Sequence, residues 1–317
     1  MTTPPDSPMS SVAKGNSLVK GSSLPDAEPR KPWTRERLPE WLRMPLERNA
    51  AAKKVSKILR DRDLNTICEE ARCPNRNHCY SRGTATFLIL GDKCTRSCPF
   101  CSVAGGPVLP PDPDEPARVI DAVVALGLKH VVITSVNRDD LPDQGSGHFV
   151  SVITGLRELL PELTIEVLIP DFRGRSVDMD RVFEAAPHIL NHNLETVPRL
   201  YVKARPGARY QRSLDLLARA REREGSMWVK SGVMVGLGET AAELDQTMQD
   251  LHAHGCQMLT VGQYLAPSPE SLPVIEYVTP ERFAEIERRG LEIGFDRVFS
   301  GPFVRSSYMA DLQVPLS

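Results

Sequence analysis

The sequence stretch GDKCTRSCPFCSV places three cysteines, Cys94, Cys98 and Cys101, within eight positions. A closed structural zinc site takes four ligands, and an iron–sulfur cluster bound only by cysteine also takes four. A compact group of three thiolates therefore indicates a metal centre with one coordination position left open. An open position is where a cofactor or substrate can bind and react.

A second group of three cysteines, Cys68, Cys73 and Cys79, lies upstream with the spacing Cys-x4-Cys-x5-Cys. In a reducing compartment such clustering favours metal binding over disulfide formation. The upstream group also lacks a fourth cysteine, so a second centre there needs a non-cysteine ligand or an open iron. The isolated Cys256 is predicted to be a small buried residue without a role.

The simplest alternative for Cys94, Cys98 and Cys101 is half of a zinc ribbon. Such a site is normally completed by a second Cys-x2-Cys or by a pair of histidines. The sequence after Cys101 has only one further cysteine, Cys256, so it lacks a second Cys-x2-Cys. This favours iron–sulfur chemistry over zinc.

Six apolar, β-rich runs recur downstream of residue 84, and an amphipathic helical pattern follows each of them. The runs are continuous rather than alternating, as in a parallel sheet that is covered on both faces. Predicted strands are 85–90, 130–135, 164–170, 188–195, 228–236 and 258–265, and predicted helices are 116–127, 147–160, 177–186, 213–225, 240–255 and 280–294. The pattern predicts an α/β fold, a partial (β/α)6 TIM-like barrel with N-terminal and C-terminal extensions. A doubly wound sheet is the alternative, because strand order cannot be read from sequence.

In a barrel of this kind the working face lies at the carboxyl ends of the strands. The CTRSCPFC run follows the first predicted strand directly, and a polar run follows each of the others. We therefore expect these runs to converge on one rim.

The chain divides by composition into four predicted regions. Residues 1–30 are rich in Ser, Pro and Gly and are predicted to be a disordered tail. Residues 31–83 form an extension with the upstream cysteines, residues 84–296 the barrel, and residues 297–317 a C-terminal segment that closes the site.

Overall charge gives no sign of a polyanionic partner. Lys and Arg number 39 against 41 Asp and Glu, a formal net charge of -2, so neither nucleic acid nor a membrane is predicted as a partner. The sequence lacks an apolar run of roughly 18 residues and a secretory signal. A cytoplasmic location is expected.

The Cys-x3-Cys-x2-Cys motif after the first strand resembles that of the radical S-adenosylmethionine superfamily. The resemblance implies a four-iron four-sulfur cluster held by Cys94, Cys98 and Cys101. The remaining iron of that cluster would bind the amino and carboxylate groups of S-adenosylmethionine, and an electron from the cluster would cleave the sulfonium to give a 5'-deoxyadenosyl radical.

The pair of cysteine groups resembles the lipoyl synthase family, and the likeness runs from about residue 40 to residue 312. Other matching runs are VVITSVNRDDL, PDFRGR, LNHNLET, MVGLGET, LTVGQYL and GPFVRSSYMADL. The resemblance implies a second, auxiliary four-iron four-sulfur cluster on Cys68, Cys73 and Cys79. It also implies a serine as fourth ligand from the RSSY run, which we assign to Ser307, with Ser306 as the fallback.

The family resemblance also implies the reaction and the partners. The enzyme would insert sulfur at the sixth and eighth carbons of an octanoyl group on a lysine of a lipoyl carrier protein and consume the auxiliary cluster. Carriers would be the E2 lipoyl domains of 2-oxoacid dehydrogenases and the glycine cleavage H protein, and the electron donor a ferredoxin or flavodoxin. Alternatives are another radical S-adenosylmethionine enzyme that inserts sulfur or transfers methylthio groups, and a noncatalytic metal-binding scaffold.

Polar residues near the end of the fourth strand are candidates for cofactor binding. Asn191, Asn193 and Glu195 are spaced by two, so an extended backbone would direct all three to one side. Asn193 and Glu195 are predicted to hold S-adenosylmethionine, and a hydrogen-bonded strand end is the alternative. Where the family usually has Asp, this chain has Asn137, to which no catalytic role is assigned.

A basic run, YVKARPGARYQR, is a candidate docking surface for an acidic carrier domain. It carries Lys203, Arg205, Arg209 and Arg212. The alternative is a solvated loop face, which is the more common role of such a run.

Overall fold

The computed structural model describes residues 38–44, 49–223 and 227–313. The predicted tail, residues 1–30, lies outside the described residues, as do the first residues of the predicted extension and the last four of the chain. The described residues all belong to one compact unit.

An eight-stranded sheet forms the centre of the fold, with the order β1-β2-β5-β6-β7-β8-β9-β10. All neighbours are parallel except β1 and β2, which are antiparallel. The strands of this sheet are β1 (Asn65–Thr66), β2 (Thr86–Ile89), β5 (His130–Ser135), β6 (Thr164–Leu168), β7 (Ile189–Asn191), β8 (Trp228–Val235), β9 (Met258–Gln263) and β10 (Arg297–Gly301). Two short strands, β3 (Lys93–Cys94) and β4 (Ala104–Gly105), pair separately.

The predicted partial barrel is confirmed. From β2 to β10 the parallel strands follow one another in chain order without the reversal of a doubly wound sheet, and the sheet is not closed. Each of the six predicted strands is present, although β7 is three residues where eight were predicted. The prediction of six parallel strands was one too few, because β10 has the sequence RVFSG, which is short, partly polar and only half-buried.

The helices cover the sheet where the apolar periodicity predicted them. The six predicted helices are α4 (Glu115–Leu126), α5 (Ser146–Leu159), α6 (Ser176–Glu184), α8 (Tyr210–Arg221), α9 (Ala241–Ala253) and α10 (Pro280–Ile293). The capping box of α9 forms, with the Thr240 side chain accepting from the Glu243 amide. Gly127 and Gly294 end their helices in the left-handed conformation.

Further helices lie in the extensions and in the loops of the barrel. They are α1 (Ala50–Asp61), α2 (Ile67–Glu70), α3 (Arg76–Ser81), α7 (Pro198–Ala204), α11 (Ala310–Gln313) and two 3₁₀ helices, Glu40–Leu42 and Phe172–Gly174. The antiparallel pairing of β1 with β2 fixes the position of α2, because α2 begins directly after β1. None of the helices in the described ranges has the length and apolarity needed to cross a lipid bilayer.

Candidate functional site

A cavity of about 540 Å³ opens at the carboxyl ends of the parallel strands. This is the rim where the polar runs were expected to converge. Both cysteine groups contribute to its wall, the upstream group through Cys73. Other predicted site residues in the wall are Cys94, Cys98, Cys101, Asn193, Glu195, Ser306 and Ser307.

Cys94 ends the short strand β3, and Cys98 and Cys101 lie on the loop that follows, which backbone hydrogen bonds hold in a compact shape. The Cys101 amide donates to Cys98 O at 2.9 Å. The amides of Arg96 and Val103 donate to the sulfurs of Cys94 and Cys101, both at 3.4 Å. Such N–H···S bonds stabilise thiolates and tune the potential of a bound cluster.

Arg96, inside the CTRSC run, anchors this loop to two neighbouring strand ends. Its guanidinium donates to both carboxylate oxygens of Asp139, at 2.7 and 2.9 Å, and to Asp171 at 2.7 Å. Burial alone would raise the pKa of Asp171, but the hydrogen bond and charge of Arg96, together with His192 and the Arg173 amide, outweigh it and hold that pKa well below its usual range. Asn137, which stands where the family usually has Asp, also stabilises the loop. Its backbone carbonyl accepts hydrogen bonds from the amide and the hydroxyl of Thr95.

The upstream cysteines are held by short helices rather than by a loop. Cys68 is buried in α2, Cys79 lies in α3, and Cys73 is in the turn between them. The Cys73 amide donates to Cys68 O at 3.1 Å, and the Cys79 amide donates to Asn75 O at 2.9 Å. These backbone hydrogen bonds hold the segment that carries the three cysteines in a compact shape.

The electrostatics of both groups suit a bound cation. Burial raises the pKa of Cys68 and of Cys101 to about 11 and that of Cys79 to about 12, and neighbouring cysteine thiolates raise each further. Burial likewise raises the pKa of Cys98. A bound metal removes this penalty by stabilising the thiolates, so the donor set fits iron–sulfur clusters.

The described residues contain no group of three or more His, Cys, Asp or Glu side chains arranged for a single metal ion. A four-iron cluster does not need that arrangement, because each thiolate binds a different iron.

The C-terminal segment after β10 crosses the cavity and reaches the helix that carries Cys79. Asn75 Nδ2 donates to Phe303 O at 2.6 Å, and Tyr308 Oη lies 3.2 Å from His78 Nδ1. Arg82 also pairs with Asp311 at 3.0 Å. Residues more than 220 positions apart are thereby brought to the upstream cysteines.

The structure distinguishes the two adjacent serines of this segment. Ser306 Oγ donates to Asn193 Oδ1 at 2.9 Å, so its hydroxyl is engaged by the barrel. Ser307 Oγ lies in the cavity wall and has no hydrogen-bond partner among the residues that the structure describes. Of the two hydroxyls, that of Ser307 is the one available to a ligand.

A glycine in β9 makes room for the C-terminal segment. A Cβ at Gly262 would lie 1.9 Å from Val304 O, which no side chain can tolerate. Strand β9 is otherwise filled by buried side chains. Gly262 therefore marks where the segment enters the barrel mouth.

The predicted cofactor-binding pair, Asn193 and Glu195, lies together in the cavity wall. Asn193 Nδ2 donates to Glu195 Oε1 at 3.0 Å, and burial raises the pKa of Glu195. Glu195 has φ 71°, a left-handed conformation that is costly for Glu and that clusters at functional sites. The prediction of an extended run was wrong, because the strand ends at Asn191, whose amide instead lies 3.5 Å from buried Glu166.

Sequence reasoning missed two arginines of the site. Arg205 Nη1 donates to Asn193 O at 2.7 Å and to Tyr201 Oη at 2.6 Å, and thereby supports the strand end. Arg305 lines the cavity, where burial lowers the pKa of its guanidinium while Cys73 and Glu195 act in the opposite direction. The available signal for Arg305 was its place in the RSSY run.

Only two of the four basic residues in the predicted docking run are exposed. Arg205 serves the strand end, and Arg212 Nη1 donates to buried Asp171 at 3.0 Å. Lys203 and Arg209 are exposed. A docking role is therefore open to these last two residues.

Comparison with family models identifies two matches along the chain. The model of the radical SAM superfamily matches residues 88–251, and the model of the N-terminal domain of lipoyl synthase of that family matches residues 15–73. The matched ranges contain the downstream cysteines and two of the upstream cysteines, respectively.

Two curated relatives cover most of the chain. A lipoyl synthase of Methylobacillus flagellatus is 53% identical over 278 residues, which are 87% of this chain and 86% of the relative. A lipoyl synthase of Methylococcus capsulatus is 51% identical over 88% of this chain and 87% of its own length.

Solved structures with a similar fold are more distant in sequence. Streptococcus suis SuiB bound to precursor peptide SuiA superposes with a TM-score of 0.53 at 10% identity, covering 68% of this chain and 48% of SuiB. Methylornithine synthase (PylB) superposes with a TM-score of 0.50 at 15% identity over 83% of each chain. At these identities the likeness concerns the fold alone.

Proposed function

Because the chain belongs to the lipoyl synthase family of the radical S-adenosylmethionine superfamily, we propose that it inserts two sulfur atoms into an octanoyl group, at its sixth and eighth carbons. The product is the lipoyl cofactor. The enzyme's cofactors are S-adenosylmethionine and two four-iron four-sulfur clusters, and its substrates are octanoylated lipoyl carriers.

The proposal extends to the cluster ligands, which follow the family resemblance and are supported by the lining of the cavity. Cys94, Cys98 and Cys101 would hold the radical-generating cluster. Cys68, Cys73 and Cys79 would hold the auxiliary cluster with Ser307 as the fourth ligand. Under this assignment residues 31–83 supply the auxiliary site, residues 84–296 form the barrel, and residues 297–317 close the site.

The observation that carries the assignment is the shared cavity. Thiols from both groups line it, and the RSSY segment connects the barrel mouth to the helix that holds Cys79. Reacting groups that line one cavity meet the substrate without diffusing through water.

Unactivated methylene carbons offer general acids and bases no acidic hydrogen and no polarised bond. The bound clusters and S-adenosylmethionine supply the chemistry that side chains lack, a hydrogen-abstracting radical and sulfur. The protein's part is positioning: Asn193 and Glu195 offer acceptors and donors for the amino and hydroxyl groups of S-adenosylmethionine. Apolar wall residues such as Val136, Ile169 and Leu265 suit an octanoyl chain and exclude water.

We further propose the E2 lipoyl domains and the glycine cleavage H protein as carriers and a ferredoxin or flavodoxin as electron donor. Exposed Lys203 and Arg209 are the candidate contacts for an acidic carrier. A cytoplasmic location fits a chain whose seven cysteines are all free in the described residues.

The test is an anaerobic assay of the reconstituted protein with an octanoyl-lysyl peptide, S-adenosylmethionine and reductant. The expected product carries two added sulfur atoms by mass. A methylthio group would assign the chain to methylthio transfer, and an unchanged peptide with intact clusters would contradict sulfur insertion.

A further inference from the structure

A lysine is fully buried inside the barrel, beneath the C-terminal segment. Lys230, in β8, has a side chain 0% exposed, and Nζ donates to Glu166 Oε1 at 2.8 Å. Glu166, in β6, is also 0% exposed and lies 3.2 Å from His130 Nε2. Burial would raise the pKa of Glu166, but Lys230 and His130 together outweigh it and lower that pKa, so the carboxylate is held ionised.

The same ammonium makes a second, shorter bond that leaves the sheet. Lys230 Nζ donates to the backbone carbonyl of Ser306 at 2.6 Å. Within the described ranges this carbonyl accepts no backbone hydrogen bond. An ion pair that only linked β6 to β8 would need the bond from Lys230 to Glu166 and nothing more. The additional bond to Ser306 therefore indicates that Lys230 also acts on the C-terminal segment.

Residue 306 is held from two sides. Its hydroxyl donates to Asn193, and its carbonyl accepts from Lys230. Gly232, two positions after Lys230 on the same face of β8, has no side chain, and a Cβ there would lie 2.8 Å from both Asn193 Oδ1 and Thr260 Oγ1. Gly232 therefore leaves room for the side chains of Asn193 and Thr260 near the point where the C-terminal segment contacts Lys230.

We infer that Lys230 is a positioning residue for the auxiliary cluster: its ammonium ties the Ser306 carbonyl to the barrel and thereby places Ser307. This inference rests on the proposed role of Ser307 as a cluster ligand. A serine oxygen binds iron more weakly than a cysteine thiolate, so its place must be fixed by the surrounding structure. Groups that orient a metal ligand commonly change metal binding when they are removed.

The first experiment measures amide hydrogen exchange in residues 302–309 of the reconstituted protein. The Glu166→Gln/Lys230→Met variant removes both buried charges together with the tether. The matched control, Glu166→Gln, keeps the lysine and its bond to Ser306. We expect exchange to become about tenfold faster in the double variant and to stay within about twofold in the control.

Unchanged exchange in the double variant would overturn the inference. If that variant does not fold, Glu166→Gln/Lys230→Gln replaces it, since two neutral amides leave no buried charge unpaired and the side chain at position 230, shorter by one atom, no longer reaches the Ser306 carbonyl. Exchange in β5 reports whether the barrel itself is intact.

The second experiment examines the auxiliary cluster alone, in protein with Cys94, Cys98 and Cys101 changed to alanine. The Glu166→Gln/Lys230→Met variant, which lacks the bond from Lys230 to Ser306, should lose about one iron of four and show an altered Mössbauer signal for the oxygen-bound iron. The Glu166→Gln control should retain all four irons and the unaltered signal. A tetra-iron cluster with an unaltered signal in the tether variant would also overturn the inference.

Ser307→Ala in the same background separates this inference from the proposed function. An unaltered cluster there would refute Ser307 as a ligand, whereas the exchange result tests the tether without reference to the cluster.

Discussion

The two cysteine groups differ in how the fold builds them. The downstream group lies within eight positions on one loop after β2, and its anchors, Arg96 and Thr95, are inside the same loop. The upstream group sits on two short helices, and the segment that completes it arrives from beyond β10. The first site is local, whereas the second depends on contacts across the whole chain.

This difference matches the chemistry assigned to each site. A cluster that returns to its starting state is served by a self-contained loop. A cluster that gives up sulfur needs a ligand set that can open, and a remote segment with an oxygen ligand allows that. The comparison predicts that damage to the two sites will have separable effects.

Removal of each cysteine group in turn should have the largest effect. Changing Cys94, Cys98 and Cys101 to alanine should abolish S-adenosylmethionine cleavage, by at least about a thousandfold, because these residues are the proposed ligands of the radical-generating cluster. Changing Cys68, Cys73 and Cys79 should leave cleavage in place but abolish sulfur insertion. Chromatography of 5'-deoxyadenosine and the peptide mass measure the two activities. Loss of cleavage in the upstream variant, or sulfur insertion that survives in either variant, would contradict the division.

Substitution of either adjacent serine should lower sulfur insertion less than removal of a cysteine group does, and the two serines should differ from each other. Ser307→Ala removes a proposed ligand and should lower sulfur insertion by about a hundredfold, whereas Ser306→Ala removes only a support and should cost about tenfold. Turnover of the octanoyl peptide gives both values. The reverse order would move the ligand to Ser306.

Gly262→Ala tests the long-range construction of the upstream site. The new methyl group meets the Val304 carbonyl, so we expect a loss of about 1–3 kcal/mol in unfolding free energy, with displacement of the segment. Gly155→Ala is the control, because its methyl group meets only the mobile end of Ile120. Denaturant unfolding measures the difference, and equal stability of the two variants would contradict the entry of the segment at Gly262.

Charge reversal at the exposed cations should weaken binding of the carrier domain and leave the rate of sulfur insertion into a short peptide unchanged. Lys203→Glu with Arg209→Glu should raise KM for an octanoylated carrier domain by about fivefold at low salt. The short octanoyl peptide should react as before. A similar effect on both substrates would place these residues outside any docking surface.

The smallest effect concerns the buried histidine below the downstream site. His192 donates to Ile169 O and accepts from Ser213, and burial lowers its pKa to about 4 from 6.5. The unfolded chain therefore binds more protons between pH 6.5 and pH 4, so stability falls as the pH falls through that window. For cluster-free protein we expect a loss of about 0.7 kcal/mol between pH 7 and pH 6 in urea unfolding, absent in His192→Asn. An equal pH dependence in that variant would assign the effect to another group.

The sequence predicted what is local or periodic. Six strands, six helices and the shared rim follow from the apolar spacing and from the polar runs after each strand, and all are present. The strand β10 was missed because its residues carry little apolar signal. The contacts of Lys230 and Arg205 could not be predicted, because each depends on which distant backbone the side chain meets.

The most direct test of the account follows the origin of the inserted sulfur. The protein is reconstituted with heavy-isotope sulfide, freed of unbound sulfide, and allowed one turnover on the octanoyl peptide. The account predicts a product in which both sulfur atoms are heavy, and none when Cys68, Cys73 and Cys79 are replaced. A product that carries light sulfur, or heavy sulfur in the replaced protein, would contradict it.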